Sequence, residues 1–245
     1  MRAAFALTAL ALAPALVACG TGGGDTAAAD ATLPPVTTAT APTPAGAPAV
    51  PDQTRLRAAL LGVGDLPAGF ASIPDPEQDL GLPATTESAQ PDRASTDPKA
   101  CAAVLAELAD QVPGATARGV ARFTGPAFTS IDTDAAAYPD AGAAFAFTTV
   151  QRTLAACDRY TGTDADGVAV QYRLGGLDQP TVGDASVAVR LQTTSDGVTM
   201  VSDAVIAVTG GVIVQVVASG QQPIDPAVLA GLARTAVEKQ RHTAD

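Results

Sequence analysis

The 245-residue chain carries 14 basic and 25 acidic side chains, a formal net charge of −11. It has no basic run and only two lysines, Lys99 and Lys239, which argues against nucleic acid or anionic lipid headgroups as partners. Tryptophan is absent and aromatic residues are 4% of the chain, so the core must be built from Val, Leu, Ala and a few Phe.

Met1-Arg2 is followed by an apolar run, Ala3 to Ala18, that ends in Leu16-Val17-Ala18-Cys19. A positive start, a short apolar stretch and small residues before a cut are the marks of an export signal. The run is too short for a spanning helix, which needs about 20 apolar residues. Leu-Val-Ala-Cys is also the bacterial lipobox pattern. The expectation is a lipoprotein signal peptide over residues 1–18, with Cys19 lipidated as the membrane attachment. The domain is then held on the outer face of the cytoplasmic membrane. Residues 19–50 are rich in Gly, Ala, Thr and Pro and poor in large apolar side chains. Such a segment does not bury enough surface to offset its chain entropy, so it reads as a disordered tether. Residues 51–245 are left as a single domain.

Asp52 to Leu61 reads as a short helix with Leu56, Leu60 and Leu61 on one face. Asp65-Leu66-Pro67-Ala68-Gly69-Phe70 must turn. Residues 71–97 are polar and Pro-rich without a period, either disordered or a functional loop. Thr96 or Asp97 caps a second helix, with Pro98 in its first turn and Cys101, Val104, Leu105 and Leu108 as an apolar stripe. Strands follow at 118–124 and 128–134. A third helix, 140–157, turns Ala143, Phe147, Val150, Leu154 and Cys157 to one side. In an exported protein two cysteines on buried helix faces are expected to pair, so a Cys101–Cys157 disulfide between helices is predicted.

From Val168 the period changes to two. Strand patterns run through 168–174, 187–191, 198–208 and 212–218. Asp196-Gly197 and Gly210-Gly211 lie between the later ones as two-residue hairpin signals. The first hairpin sets Arg190 opposite Asp203 as a modest surface ion pair. Asp225-Pro226 opens a closing helix. The expected fold is α+β, a twisted antiparallel sheet with helices packed on it.

The search for chemistry is mostly negative. The one histidine, His242, lies four residues from the end, where a frayed terminus is the simpler reading. No second histidine completes a nucleophilic pair, no His/Cys cluster has zinc spacing, and no phosphate loop occurs. Asp164 and Asp166 read as a solvated turn, without the further ligands of a calcium loop. Asp132 and Asp134, two apart on a strand, share one face and read as solvent-facing. No catalytic residues, metal site or cofactor are expected.

Leu60-Leu61, Asp65-Leu66-Pro67-Ala68-Gly69-Phe70, Asp97-Pro98-Lys99-Ala100-Cys101, Cys157 and Val182-Gly183-Asp184-Ala185 together resemble the PknH-like extracellular sensor domain, over about residues 52–241. That family occurs in mycobacterial receptor Ser/Thr kinases and in free-standing actinobacterial lipoproteins. The Ala, Gly, Pro and Arg bias fits such a high-GC genome. The resemblance implies an α+β domain, a cleft for an unidentified ligand, and no enzymatic activity. The kinase sensor domain is held by two disulfides, whereas this chain has cysteines for one. The expected function is a non-catalytic ligand-binding or sensor-like module. The alternative is an envelope protein-interaction module without a small-molecule pocket, with an exposed apolar patch instead. A hydrolase using carboxylates alone is a third reading, weakened by the shortage of aromatics for sugar stacking.

Overall fold

In the computed structural model, which describes residues 32–42, 49–74 and 93–242, the period-two segments form one antiparallel sheet. Its strands are β1 (Ala71–Ile73), β2 (Ser95–Asp97), β3 (Ala117–Thr124), β4 (Ser130–Ala137), β5 (Arg159–Thr163), β6 (Ala169–Gly176), β7 (Ala185–Ser195), β8 (Val198–Thr209) and β9 (Val212–Gly220). Their order is β1-β3-β4-β9-β8-β7-β6-β5-β2. The edges are the two three-residue strands, short enough to offer little backbone for pairing with another chain.

Turn chemistry fixes the centre of the sheet. Asp196 and Gly197 both take positive φ, 47° and 77°, as a type I′ hairpin turn requires. Ser195 then pairs with Val198 and Arg190 with Asp203, the register expected from sequence. Gly210-Gly211 also joins Thr209 to Val212 through a two-residue turn, with Gly210 at φ +55°. The Arg190–Asp203 pair is more than a surface contact. The Asp203 side chain is 2% exposed and receives the guanidinium through Nε at 2.6 Å and a second nitrogen at 2.8 Å.

Helices cover both faces. One face packs on α1 (Gln53–Ala58) and α4 (Pro226–His242), with Ile131, Ala135, Val205, Val214 and Val216 meeting Leu56, Leu229 and Leu232. Asp52 and Asp225 cap these helices through the Arg55 and Ala227 amides. The other face packs on α3 (Gly142–Ala156), whose Phe147, Val150 and Leu154 meet Val187, Val189, Ile206 and Ile213. Alternation along β7 and β9 divides the two sets, since successive side chains point to opposite faces. The α+β expectation holds.

Three expectations need correction. The second helix is absent. Lys99–Ala103 forms a 3-10 turn, Leu105 takes φ +56°, and only Leu108–Gln111 is helical (α2). The apolar stripe still faces inward at Cys101, Val104 and Leu108. Its backbone groups bond to tertiary partners instead of to a helix: the Ala106 carbonyl accepts from Gln111 and Gln215, and the Leu108 amide donates to Asp134. The Cys101–Cys157 disulfide is present, but it links this 3-10 turn to the C-cap of α3 and not two helices. Residues 71–97 include both edge strands; 75–92 lie outside the described residues.

The third correction concerns the tether. Residues 33–42, expected to be free, lie along the domain, with Ala41 buried and Val36 and Ala39 packed on the α3-side core. Main-chain hydrogen bonds supply what their small side chains lack.

Candidate functional site

The face under α3 is not apolar throughout. On β4, Asp132 and Asp134 point toward it, as do Gln215, Val217 and Ser219 on the adjoining β9. Arg122 on β3 stands opposite Asp132. Beyond the reach of α3 these residues floor a cleft of about 490 Å³, walled by Leu105, Ala106 and Glu107 ahead of α2. Leu191 and Ser202 close its far side. The cleft is therefore mixed: carboxylates and an amide on the floor, aliphatic carbon at Leu105, Leu191 and Val217.

Burial sets the electrostatics. Asp134 is 5% exposed, and loss of water pushes its carboxyl up to about 7. The hydrogen bond from the Leu108 amide works against this, while the negative charges of Glu107 and Asp110 add to it. Asp132 is also raised, chiefly by burial, against the Ser130 hydroxyl that donates to it at 3.2 Å and the nearby Arg122 charge. Arg122 reaches Glu107 at 2.5 Å across the rim. Gln215 donates through Nε2 to the Ala106 carbonyl at 3.1 Å, and its Oε1 has no hydrogen-bond partner among the described residues.

The solvent-facing reading is thus overturned for Asp134, which is buried, while Asp132 is half-buried in the cleft. They share a face, as their spacing requires, but the segment from Leu105 to Gln111 folds over it. Asp164 Oδ1 accepts from the Asp166 and Val168 amides at 3.0 and 2.8 Å, which makes that pair a turn before β6. His242 is exposed in the last turn of α4. Cys19 lies outside the described residues. Gln215 was missed, although a lone amide inside Val212-Ile213-Val214-Gln215-Val216-Val217 signals a buried polar group that needs partners.

A second pocket, about 340 Å³, opens on the α1/α4 side between β4, β9 and α4. Its lining is largely apolar, with Pro67, Phe70, Ile131, Ile224 and Val228.

Residues 51–239 match the family model of the PknH-like extracellular domain. The chain belongs to this family. Among solved structures, it is similar to the extracellular domain of PknH from Mycobacterium tuberculosis, with 18% identity and a TM-score of 0.58 over 78% of this chain and 98% of that one. It is also similar to a putative uncharacterized protein from Mycobacterium smegmatis, at 16% identity and a TM-score of 0.42 over 78% and 97%. No curated protein matches. The first likeness shows the fold of a PknH-like extracellular domain, and the family places the domain on the extracellular side.

Proposed function

We propose that the protein is an exported lipoprotein, anchored through lipid on Cys19 to the outer face of the cytoplasmic membrane, whose domain is a non-catalytic, sensor-like binding module for a small ligand. The observation that carries the reading is the cleft over β4 and β9. It is of ligand size. Asp132 is an acceptor on the cleft floor that calls for a ligand with hydrogen-bond donors, and Leu105, Leu191 and Val217 offer it an aliphatic wall. The lipobox supports the anchor, and family membership supports the extracellular placement. The pockets on both faces of the sheet favour this reading over a docking module without a cavity.

Native mass spectrometry of the mature chain, purified from its own envelope, tests the proposal. The expected result is a reproducible added mass lost on denaturation and reduced in Asp132→Asn, together with acyl chains on Cys19. An apo mass that stays clean after incubation with envelope extract would overturn the ligand reading, and an unmodified Cys19 would overturn the anchor.

A further inference from the structure

The segment on the α3 side of the domain, Leu33–Pro42, is held by its main chain. Buried Gln151 of α3 reads both backbone groups of Ala39: Oε1 accepts from the Ala39 amide at 2.6 Å, and Nε2 donates to its carbonyl at 2.9 Å. The Gly176 amide at the end of β6 donates to the Pro34 carbonyl at 2.7 Å. The floor beneath is bare backbone. A Cβ on Gly175 would stand 2.3 Å from Leu33 Cβ, and one on Gly176 would stand 2.6 Å from the Pro35 carbonyl oxygen. Only glycine lets the crossing chain come so close.

The segment has a period. Leu33, Val36 and Ala39 are half-buried and Ala41 is buried, while Pro34, Pro35, Thr37, Thr38, Thr40 and Pro42 are exposed. Inward side chains three apart from Leu33 to Ala39, beginning at a Pro-Pro step, fit polyproline II, which has three residues per turn and no internal hydrogen bonds, and buried Ala41 ends the period. Its carbonyls and amides are therefore free for a receptor to bind. Recognition by such a groove is of main chain and helix type, with modest demand on side-chain identity. A cavity of about 390 Å³ stays open beside it, between Pro34, Thr37 and the segment of residues 178–181.

We propose that this groove, between α3 and the end of β6, is a binding site for extended proline-containing peptides in the polyproline II conformation, and that residues 33–42 occupy it as a tethered competitor. The chemistry that fits is an extracytoplasmic peptide with aliphatic residues three apart. Only residues 43–50 lie between the strap and the folded domain. A tether so short gives an effective concentration of roughly millimolar, so the resident strap masks the groove from weak peptides.

The test uses the full mature chain. In one variant Leu33 to Ala41 is replaced by Gly and Ser of equal length, which empties the groove without shortening the tether. The probe is a fluorescent peptide of residues 32–43 with blocked ends, read by polarisation. The expected result is saturable binding to the replaced-strap variant, at least about tenfold weaker binding to the unmodified chain, and loss of binding when Gln151→Leu is added. In the unmodified chain, hydrogen exchange at the Ala39 amide should be slowed. A replaced-strap variant that keeps its disulfide and circular dichroism but fails to bind would overturn the proposal. So would an Ala39 amide exchanging at the unprotected rate, an outcome that does not depend on any variant folding.

Discussion

The two faces of the sheet bury polar groups in different ways. On the α1/α4 face Arg190 and Asp203 form a two-pronged pair, and the side chains around them are mostly aliphatic, with Thr133 buried among them. On the α3 face the floor holds Asp134, Asp132 and Gln215, and their partners are backbone amides, a hydroxyl and carbonyls of a non-helical loop. One face resembles an ordinary core with its charges neutralised. The other keeps acceptors at the bottom of an open cleft. Within one sheet, what marks a candidate site is polarity gathered at the floor of an open cleft, since the closed face too buries a hydroxyl, at Thr133, that is unmatched among the described residues.

The sharpest break in this comparison is covalent, since the disulfide lies on the α3 side alone. Replacing Cys101 and Cys157 by Ser should cost roughly 4 kcal/mol for a loop of this length, read as a lower urea midpoint. Next comes packing. Leu229→Ala on the closed face should cost about 3 kcal/mol, because 0% of that residue is exposed and the void stays. Leu191→Ala beside the cleft should fall near 2 kcal/mol, since its void joins an existing cavity. If the two losses were equal, the cleft side would be as tightly packed as the other. Arg190→Lys keeps the charge but loses the fork, and about 1 kcal/mol is expected in the same urea titration.

The most specific effect is a pH dependence. The folded-state pKa of Asp134 is raised from 3.8 to about 7. Between those values the folded state holds a proton that the unfolded chain has released. Its contribution to stability is full below 3.8, falls as pH rises through that window, and levels off above 7. Asp134→Asn, which still accepts from the Leu108 amide, should flatten that part of a stability–pH curve. An unchanged curve would place the titration elsewhere.

Much of the fold was legible because its signals are local. The Asp196-Gly197 turn dictates one register, and with it the pairing of Arg190 and Asp203. The stripe on α3 and the cap at Asp225 read directly. The stretch 98–108 did not, because its helical stripe competes with tertiary partners that sequence does not display: Asp134 and Gln215, distant in the chain, take its amide and carbonyl groups. The cleft was hidden for the same reason, since Asp132 and Asp134 look solvent-facing until that loop covers them. The strap was hidden because a composition poor in large side chains says nothing of backbone bonds to Gln151 and Gly176. The edge strands are too short to carry a pattern.

The order of the strands also has a kinetic consequence. From β5 to β9 each strand neighbours its successor, and β3 neighbours β4, so these pieces close through short loops. The pairing of β4 with β9 joins Ser130–Ala137 to Val212–Gly220 across the whole meander and carries the larger loop-closure entropy. Asp132 and Asp134 stand on one side of that junction and Gln215, Val217 and Ser219 on the other. The cleft therefore comes into being only when the two halves of the sheet meet, and a molecule bound there would act as a clasp on the join, slowing its opening more than that of any hairpin beside it.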